Sequence, residues 1–232
     1  MTDSLKINEI FFSIQGESTF AGLPCIFIRL TGCHLRCGYC DTEYAFYEGN
    51  RRSLDEIIAE ARRIAPTCKL VEVTGGEPLL QKDVHPLMSR FSDLGYTVLL
   101  ETSGGCDIAP CDPRVIRIMD LNTPGSGEAD KNIWANIPLL TKRDEVKFVL
   151  TSRADVDWAR HVIFEHHLAE KVGAILLSAV HDIPKGSELP GAEGLHIRDL
   201  AEWVLADRDL APLVRVQTQL HKIIWDPTAR GV

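Results

Sequence analysis

Short apolar runs alternate with amphipathic stripes along most of the chain, and this alternation leaves few folds open. Cys25-Ile26-Phe27-Ile28-Arg29-Leu30 follows Pro24 and reads as a buried strand. Ser53-Leu54-Asp55-Glu56 has the spacing of a capping box, and Leu54, Ile57, Ile58, Ala61 and Ile64 then keep to one helical face. Leu70 to Thr74 is the next strand. Val84, Leu87, Met88, Phe91 and Leu94 mark a second helix that Gly95 ends. Strands follow at 97–101, 115–121 and 144–150, then a helix over 154–168 and a strand at 174–178. Ile197 to Leu205 is a last helix, and 212–219 is extended. Strands separated by helices predict an α/β fold with a parallel sheet. About six strands are too few for a closed eight-fold barrel, so a partial (β/α) barrel or an open sheet is expected.

In such folds the ligand site lies beyond the carboxyl ends of the strands. The Gly-rich segments fall there in turn: Gly32 to Cys40, Gly75-Gly76-Glu77-Pro78, Thr102-Ser103-Gly104-Gly105 and Asn122-Thr123-Pro124-Gly125. Four consecutive strands therefore point their loops at one rim. A chain of 232 residues is expected to form a single domain over 1–232 that needs no disulfide staples. A formal charge of −8 argues against a general nucleic-acid binder. No apolar run approaches the ~20 residues of a membrane span, and Met1 to Glu9 lacks the apolar core of a signal peptide.

The cysteines sharpen the reading. There are seven, and three of them, Cys33, Cys37 and Cys40, fall within one loop. In a reducing cytoplasm, the expected location, this spacing reads as metal binding rather than as a disulfide framework. Three thiolates suit a four-iron cluster with one iron left open to the amino and carboxylate groups of S-adenosylmethionine (SAM). A zinc site completed by His34 is the competing reading, although a second knuckle is lacking and Cys106 and Cys111 are poorly spaced for one.

Cys-x-x-x-Cys-x-x-Cys, with Tyr39 before the third cysteine, resembles the signature of the radical SAM superfamily. Thr74-Gly75-Gly76-Glu77-Pro78 resembles its second motif, in which glycines let the backbone approach the cofactor and Glu77 could accept from an ammonium. Gln15-Gly16-Glu17, Cys40-Asp41-Thr42 and Gln219-Leu220-His221-Lys222 narrow the likeness to the 7-carboxy-7-deazaguanine synthase family, over nearly the whole chain. That resemblance implies a 4Fe-4S cluster on Cys33, Cys37 and Cys40, SAM, and Mg²⁺ with an oxygen from Thr42. It implies a carbon–nitrogen lyase of queuosine and deazapurine biosynthesis. The reaction would be a radical ring contraction of 6-carboxy-5,6,7,8-tetrahydropterin to 7-carboxy-7-deazaguanine with loss of ammonia.

Carried over position by position, Tyr39, Asp41, Gly76, Glu101, Ser103, Thr123, Pro124, Gly125 and Ser178 would surround SAM. Ile14, Gln15, Gly16, Arg29, Thr74 and His221 would touch substrate. An N-terminal substrate-binding segment and a C-terminal closing tail would flank the radical SAM core. The same resemblance implies a small-molecule pterin substrate, a reductant protein such as flavodoxin or ferredoxin, and a homodimer, with no nucleic acid or membrane partner. Lys147, inside an apolar strand, is expected to be a buried counter-ion. Asn122 departs from the Lys expected in many relatives. A glycyl-radical-enzyme activase shares both superfamily motifs but not the Gln-Gly-Glu and Cys-Asp-Thr segments, and a non-catalytic zinc module is the alternative of a different class.

Overall fold

The computed structural model describes residues 3–232. Its strands are β1 (Ser4–Ile14), β2 (Pro24–Leu30), β3 (Asn50–Ser53), β4 (Leu70–Gly75), β5 (Thr97–Thr102), β6 (Ile116–Asp120), β7 (Glu145–Leu150), β8 (Ala174–Ala179) and β9 (Arg215–Gln217). They form one nine-stranded sheet in the order β3-β1-β2-β4-β5-β6-β7-β8-β9. From β2 to β9 every pairing is parallel, while β1 pairs antiparallel with both β2 and β3. The α/β class and the open, mostly parallel barrel agree with the expectation. The 212–219 segment adds β9 as a further short parallel strand.

Helices α1 (Leu54–Ile64), α2 (Val84–Asp93), α3 (Arg153–Glu165), α4 (Leu168–Lys171), α5 (Ile197–Ala206) and α6 (His221–Ile224) complete the chain. The capping box of α1 is formed: Ser53 N donates to Glu56 Oε2 at 2.7 Å and Glu56 N to Ser53 Oγ at 3.3 Å. Such a cap contributes about 1 kcal/mol. The outward residues of the strands, such as Ile28, Val73, Leu100 and Phe148, are buried with Ile57, Leu87, Phe91 and Ala159 of the helices. A smaller cluster of Cys25, Phe27, Leu70, Leu99 and Ile118 fills the inner side of the sheet near the strands' amino ends.

Three details differ from the sequence expectation. β1 was not expected, because a register shift between Ile7 and Glu9 interrupts the alternation that would have revealed it. The 154–168 helix stops at Glu165, since His167 takes a left-handed conformation (φ 51°) before the single turn of α4. The β5–β6 and β6–β7 crossovers lack α-helices. The second is built from 3₁₀ turns at Pro124–Ser126, Ala129–Lys131 and Trp134–Leu139, the last containing Pro138, which cannot donate an α-helical bond. In their place a buried ion pair ties β6 to the turn before β7. Arg117 Nη2 lies 2.5 Å from Asp144 Oδ2, and the same carboxylate accepts from Arg117 N at 2.9 Å and Thr141 N at 2.7 Å.

Candidate active site

A cavity of about 270 Å³ opens at the carboxyl ends of the parallel strands. Cys33, Cys37 and Cys40 line one side of it, with Gly75 and Gly76 beside them. Ile14, Gln15, Gly16, Arg29 and Thr74 line another, and His221 and Lys222 of α6 also border it. The rim foreseen from the Gly-rich loops is therefore a real cavity, and it joins residues far apart in sequence.

The cysteine loop folds against the Gly-Gly turn. Gly76 N donates to Leu30 O at 3.3 Å and Glu77 N to Gly32 O at 2.8 Å. A side chain on Gly76 would meet Gly32 O and Cys33 Cβ, so the close approach requires glycine. Burial pushes all three thiols up: Cys33 is raised, Cys37 is raised further by the neighbouring Cys40 and Cys33, and Cys40, with Asp41 next to it, reaches about 12. The thiols are thus near enough to feel one another's charge. Among the described residues, no group of three or more His, Cys, Asp or Glu side chains converges as a single ion would need. Three thiols facing one cavity suit a multi-iron cluster, whose irons each take one thiolate.

Glu77 does not serve the acceptor role read from the motif. It is fully buried, and its oxygens accept from Leu79 N (3.0 Å), Thr102 Oγ1 (3.0 Å), Ser103 N (2.8 Å) and Ser103 Oγ (2.5 Å). Its carboxylate instead fixes the turn to the end of β5.

Elsewhere in the lining, Arg29 Nε is 2.7 Å from Glu9 Oε1, so its orientation is set by a neighbour on β1. Gln15 Nε2 donates to Glu72 Oε2. Thr42 Oγ1 donates to Asp41 Oδ1 at 2.7 Å, and Lys222 Nζ is 2.5 Å from Asp41 Oδ2. The surroundings of Asp41 disfavour its charge, but Lys222 and the Thr42 hydroxyl outweigh this and hold its carboxyl below the usual carboxylate range. The tail closes on the N-terminal segment: Leu220 N donates to Gly16 O at 2.9 Å, and a Cβ on Gly16 would collide with the His221 ring.

Beneath these walls lies a layer of charge. Glu72, Glu101, Asp120 and Lys147 come from the middle or ends of β4, β5, β6 and β7. Lys147 Nζ is 2.7 Å from Glu17 Oε2 and 3.6 Å from Asp120 Oδ1, and it also bonds Glu101 Oε1. Burial would neutralise the ammonium, but Asp120, Glu101 and Glu17 keep it charged well above its ordinary range. Burial likewise raises Asp120, to about 8, and lifts Glu72, where the Glu101 charge adds to the effect. Glu17, also buried, is lowered because Lys147 and His221 prevail.

Most of the residues singled out from the sequence border the cavity: Tyr39, Asp41, Thr42, Gly76, Glu101 and Ser103 do so in addition to those above. Thr123, Pro124, Gly125 and Ser178 do not. Thr123 is fully buried and donates to Val149 O at 3.0 Å, Gly125 N donates to Asp155 Oδ1 at 2.8 Å, and Ser178 is 1% exposed. The loop after β6 coils into a 3₁₀ turn against α3, which draws these groups behind the wall. His181 pairs with Thr218 Oγ1 at 3.2 Å, away from the cavity lining. Glu72, Asp120 and Gln219 line the cavity and were not foreseen as site residues. The available signal was a carboxylate inside an apolar strand, as in Leu70-Val71-Glu72-Val73 and Ile118-Met119-Asp120-Leu121.

Comparison with known proteins agrees with this geometry. The model of the Radical SAM superfamily matches residues 27–122. A 7-carboxy-7-deazaguanine synthase from Koribacter versatilis is 44% identical over 98% of this chain and 100% of its own. The protein of the same name from Chlorobaculum tepidum is 45% identical over 98% of this chain and 97% of its own. Among solved structures, QueE from Escherichia coli superposes with a TM-score of 0.71 at 24% identity, covering 94% of this chain and 95% of that one, and so shares its fold.

Proposed function

Because the chain belongs to the 7-carboxy-7-deazaguanine synthase family, within the radical SAM superfamily, we propose that it converts 6-carboxy-5,6,7,8-tetrahydropterin to 7-carboxy-7-deazaguanine with loss of ammonia, as a carbon–nitrogen lyase. The observation that carries this reading is one cavity lined both by Cys33, Cys37, Cys40 and Gly76 and by Gln15, Gly16, Arg29 and Thr74. A 4Fe-4S cluster with SAM, when bound, supplies hydrogen-atom abstraction from a carbon of the substrate. Cys33, Cys37 and Cys40 would hold the cluster. Tyr39, Gly76, Glu101 and Ser103 would border SAM, and the backbone at Gly75 and Gly76 has the freedom to approach it closely.

Arg29 presents a planar fork suited to the substrate carboxylate. The Gln15 amide and the Thr74 hydroxyl offer donors and acceptors to the heterocycle. Thr42 would give one oxygen to Mg²⁺, an ion that takes few protein ligands and keeps several waters. Asp41 accepts the Thr42 hydroxyl proton and so turns the lone pairs of Oγ1 outward. Thr123, Pro124, Gly125 and Ser178 would support the SAM wall from behind. A flavodoxin or ferredoxin would supply electrons, and a homodimer is the expected assembly. No helix among the described residues is long and apolar enough to cross a membrane.

The test is anaerobic turnover of reconstituted protein with SAM, Mg²⁺ and the carboxytetrahydropterin. Formation of 7-carboxy-7-deazaguanine supports the reading. SAM cleavage that proceeds without any conversion of the pterin would refute it.

A further inference from the structure

Lys147 draws together the loop after β1 and the ends of β5 and β6. Its ammonium carries three protons and no acceptor. Glu17, from the loop after β1, lies 2.7 Å away; Glu101 at the end of β5 is bonded; and Asp120 at the end of β6 lies at 3.6 Å. Glu17 and Glu101 take two of these donors from a side chain that is itself 5% exposed, while Asp120 stands just beyond hydrogen-bond reach, its Oδ1 without a partner among the described residues. The residue borders the cavity, its ammonium held between these carboxylates.

What the ammonium holds is the loop after β1. The sheet is open between β3 and β9, so no ladder of hydrogen bonds closes the barrel. The loop after β1 bridges that opening instead. Thr19 N donates to Glu145 Oε2 at 3.1 Å, and Glu17 meets Lys147 one alternate position further along β7. The second oxygen of Glu17 accepts from Gln219 Nε2 at 2.7 Å, which carries the link into the tail. Glu17 is thus gripped by the strand floor on one side and grips the tail on the other. Gln15 and Gly16, the residues read above as substrate contacts, lie immediately before it.

We propose that Lys147 is a positioning residue: it clamps the Gln15–Glu17 loop, and through Gln219 the tail, onto Glu101 of β5, and so shapes the substrate wall through Glu17. This rests on the function proposed above. A displaced wall loses contacts made alike to bound substrate and transition state, which raises KM more than it lowers kcat.

Lys147→Met, Glu17→Gln and the double variant decide the matter in the reconstituted full chain. The expected result for Lys147→Met is a KM for the pterin raised at least about tenfold, with kcat reduced less. Glu17→Gln should act in the same direction, and the double variant should be no worse than the more impaired single one, because both break one clamp. Additive losses would overturn the proposal, since they would mean that Lys147 acts separately from Glu17. The second readout needs neither turnover nor cluster: hydrogen exchange of the unreconstituted chain. Residues 15–20 and 218–222 should exchange faster in Lys147→Met, with β4 and β5 unchanged. If Lys147→Met fails to fold, Glu17→Gln must show the same local loosening alone. Unchanged exchange in these segments overturns the clamp, whether or not the wild-type protein converts the pterin.

Discussion

Gly76→Ala tests how tightly the cysteine loop is seated. A Cβ at this position would lie 2.7 Å from Cys33 Cβ and 2.8 Å from Gly32 C, and closer still to Gly32 O. Ordinary contacts between carbons begin near about 3.5 Å, so the new methyl overlaps by roughly 0.8 Å. The atoms it meets are backbone or Cβ and cannot swing aside. The loop must move, and the cost is that of overpacking, about 1–3 kcal/mol. Gly38→Ala is the internal control. It lies between Cys37 and Cys40, yet its Cβ would meet Pro190 Cγ at 3.5 Å and Ser126 O at 3.9 Å, both ordinary contacts. Its effect should stay within about 0.5 kcal/mol. Two measurements follow on each variant: thermal unfolding of the metal-free chain, and iron and sulfide bound after anaerobic reconstitution. For a chain of this size each kcal/mol moves Tm by roughly 2–4 °C. Gly76→Ala should lose several degrees and most of its iron, while Gly38→Ala should match the wild type. A Gly76→Ala protein with wild-type Tm and iron content would show that the turn and the loop are not in the contact described, and the steric account would be wrong.

Ala at Cys33, Cys37 or Cys40 should abolish iron binding and SAM cleavage, whereas Ala at Cys25, Cys68, Cys106 or Cys111 should spare both; full activity in Cys37→Ala rejects the cluster assignment. Thr42→Ala should raise the Mg²⁺ concentration needed for half-maximal turnover more than it weakens SAM binding, and an unchanged magnesium titration counts against Thr42 as a ligand. Asp144→Ala removes one partner of a buried pair and should destabilise the chain at neutral pH by about 3–5 kcal/mol. Burial would raise the Asp144 carboxyl, but hydrogen bonds from the Arg117 side chain and backbone and from Thr141 win and lower it. Its contribution is therefore complete above the unfolded pKa of about 4 and is lost as pH falls through the lower folded value. Denaturant curves of wild type and Asp144→Ala should converge toward pH 2, and a constant gap from pH 7 to pH 2 would contradict this assignment.

The parallel strands were readable because each is a short apolar run before a glycine-rich loop, and the cysteine motif lies wholly within one such loop. β1 was hidden by its bulge, and the helix-free crossovers by apolar residues with no clear period, such as Ile133 to Leu140. The charged floor was only half visible. Glu72, Glu101, Asp120 and Lys147 each stand in an apolar strand, which signals burial with a partner, but the pairing depends on how far the sheet curls. Glu77 was misread for a related reason: a motif gives the residue, whereas the donors from Thr102 and Ser103 that saturate it come from the next strand.

The bond between Glu17 and Gln219 spans 202 positions of the sequence. On a chain emerging from the ribosome, β2 to β8 can pair step by step with near neighbours, while this bond must wait until Gln219 has appeared. Closing a loop of that length carries an entropy term of roughly 5 kcal/mol by itself. The link between the loop after β1 and the tail would then form later than the strand pairings from β2 to β8.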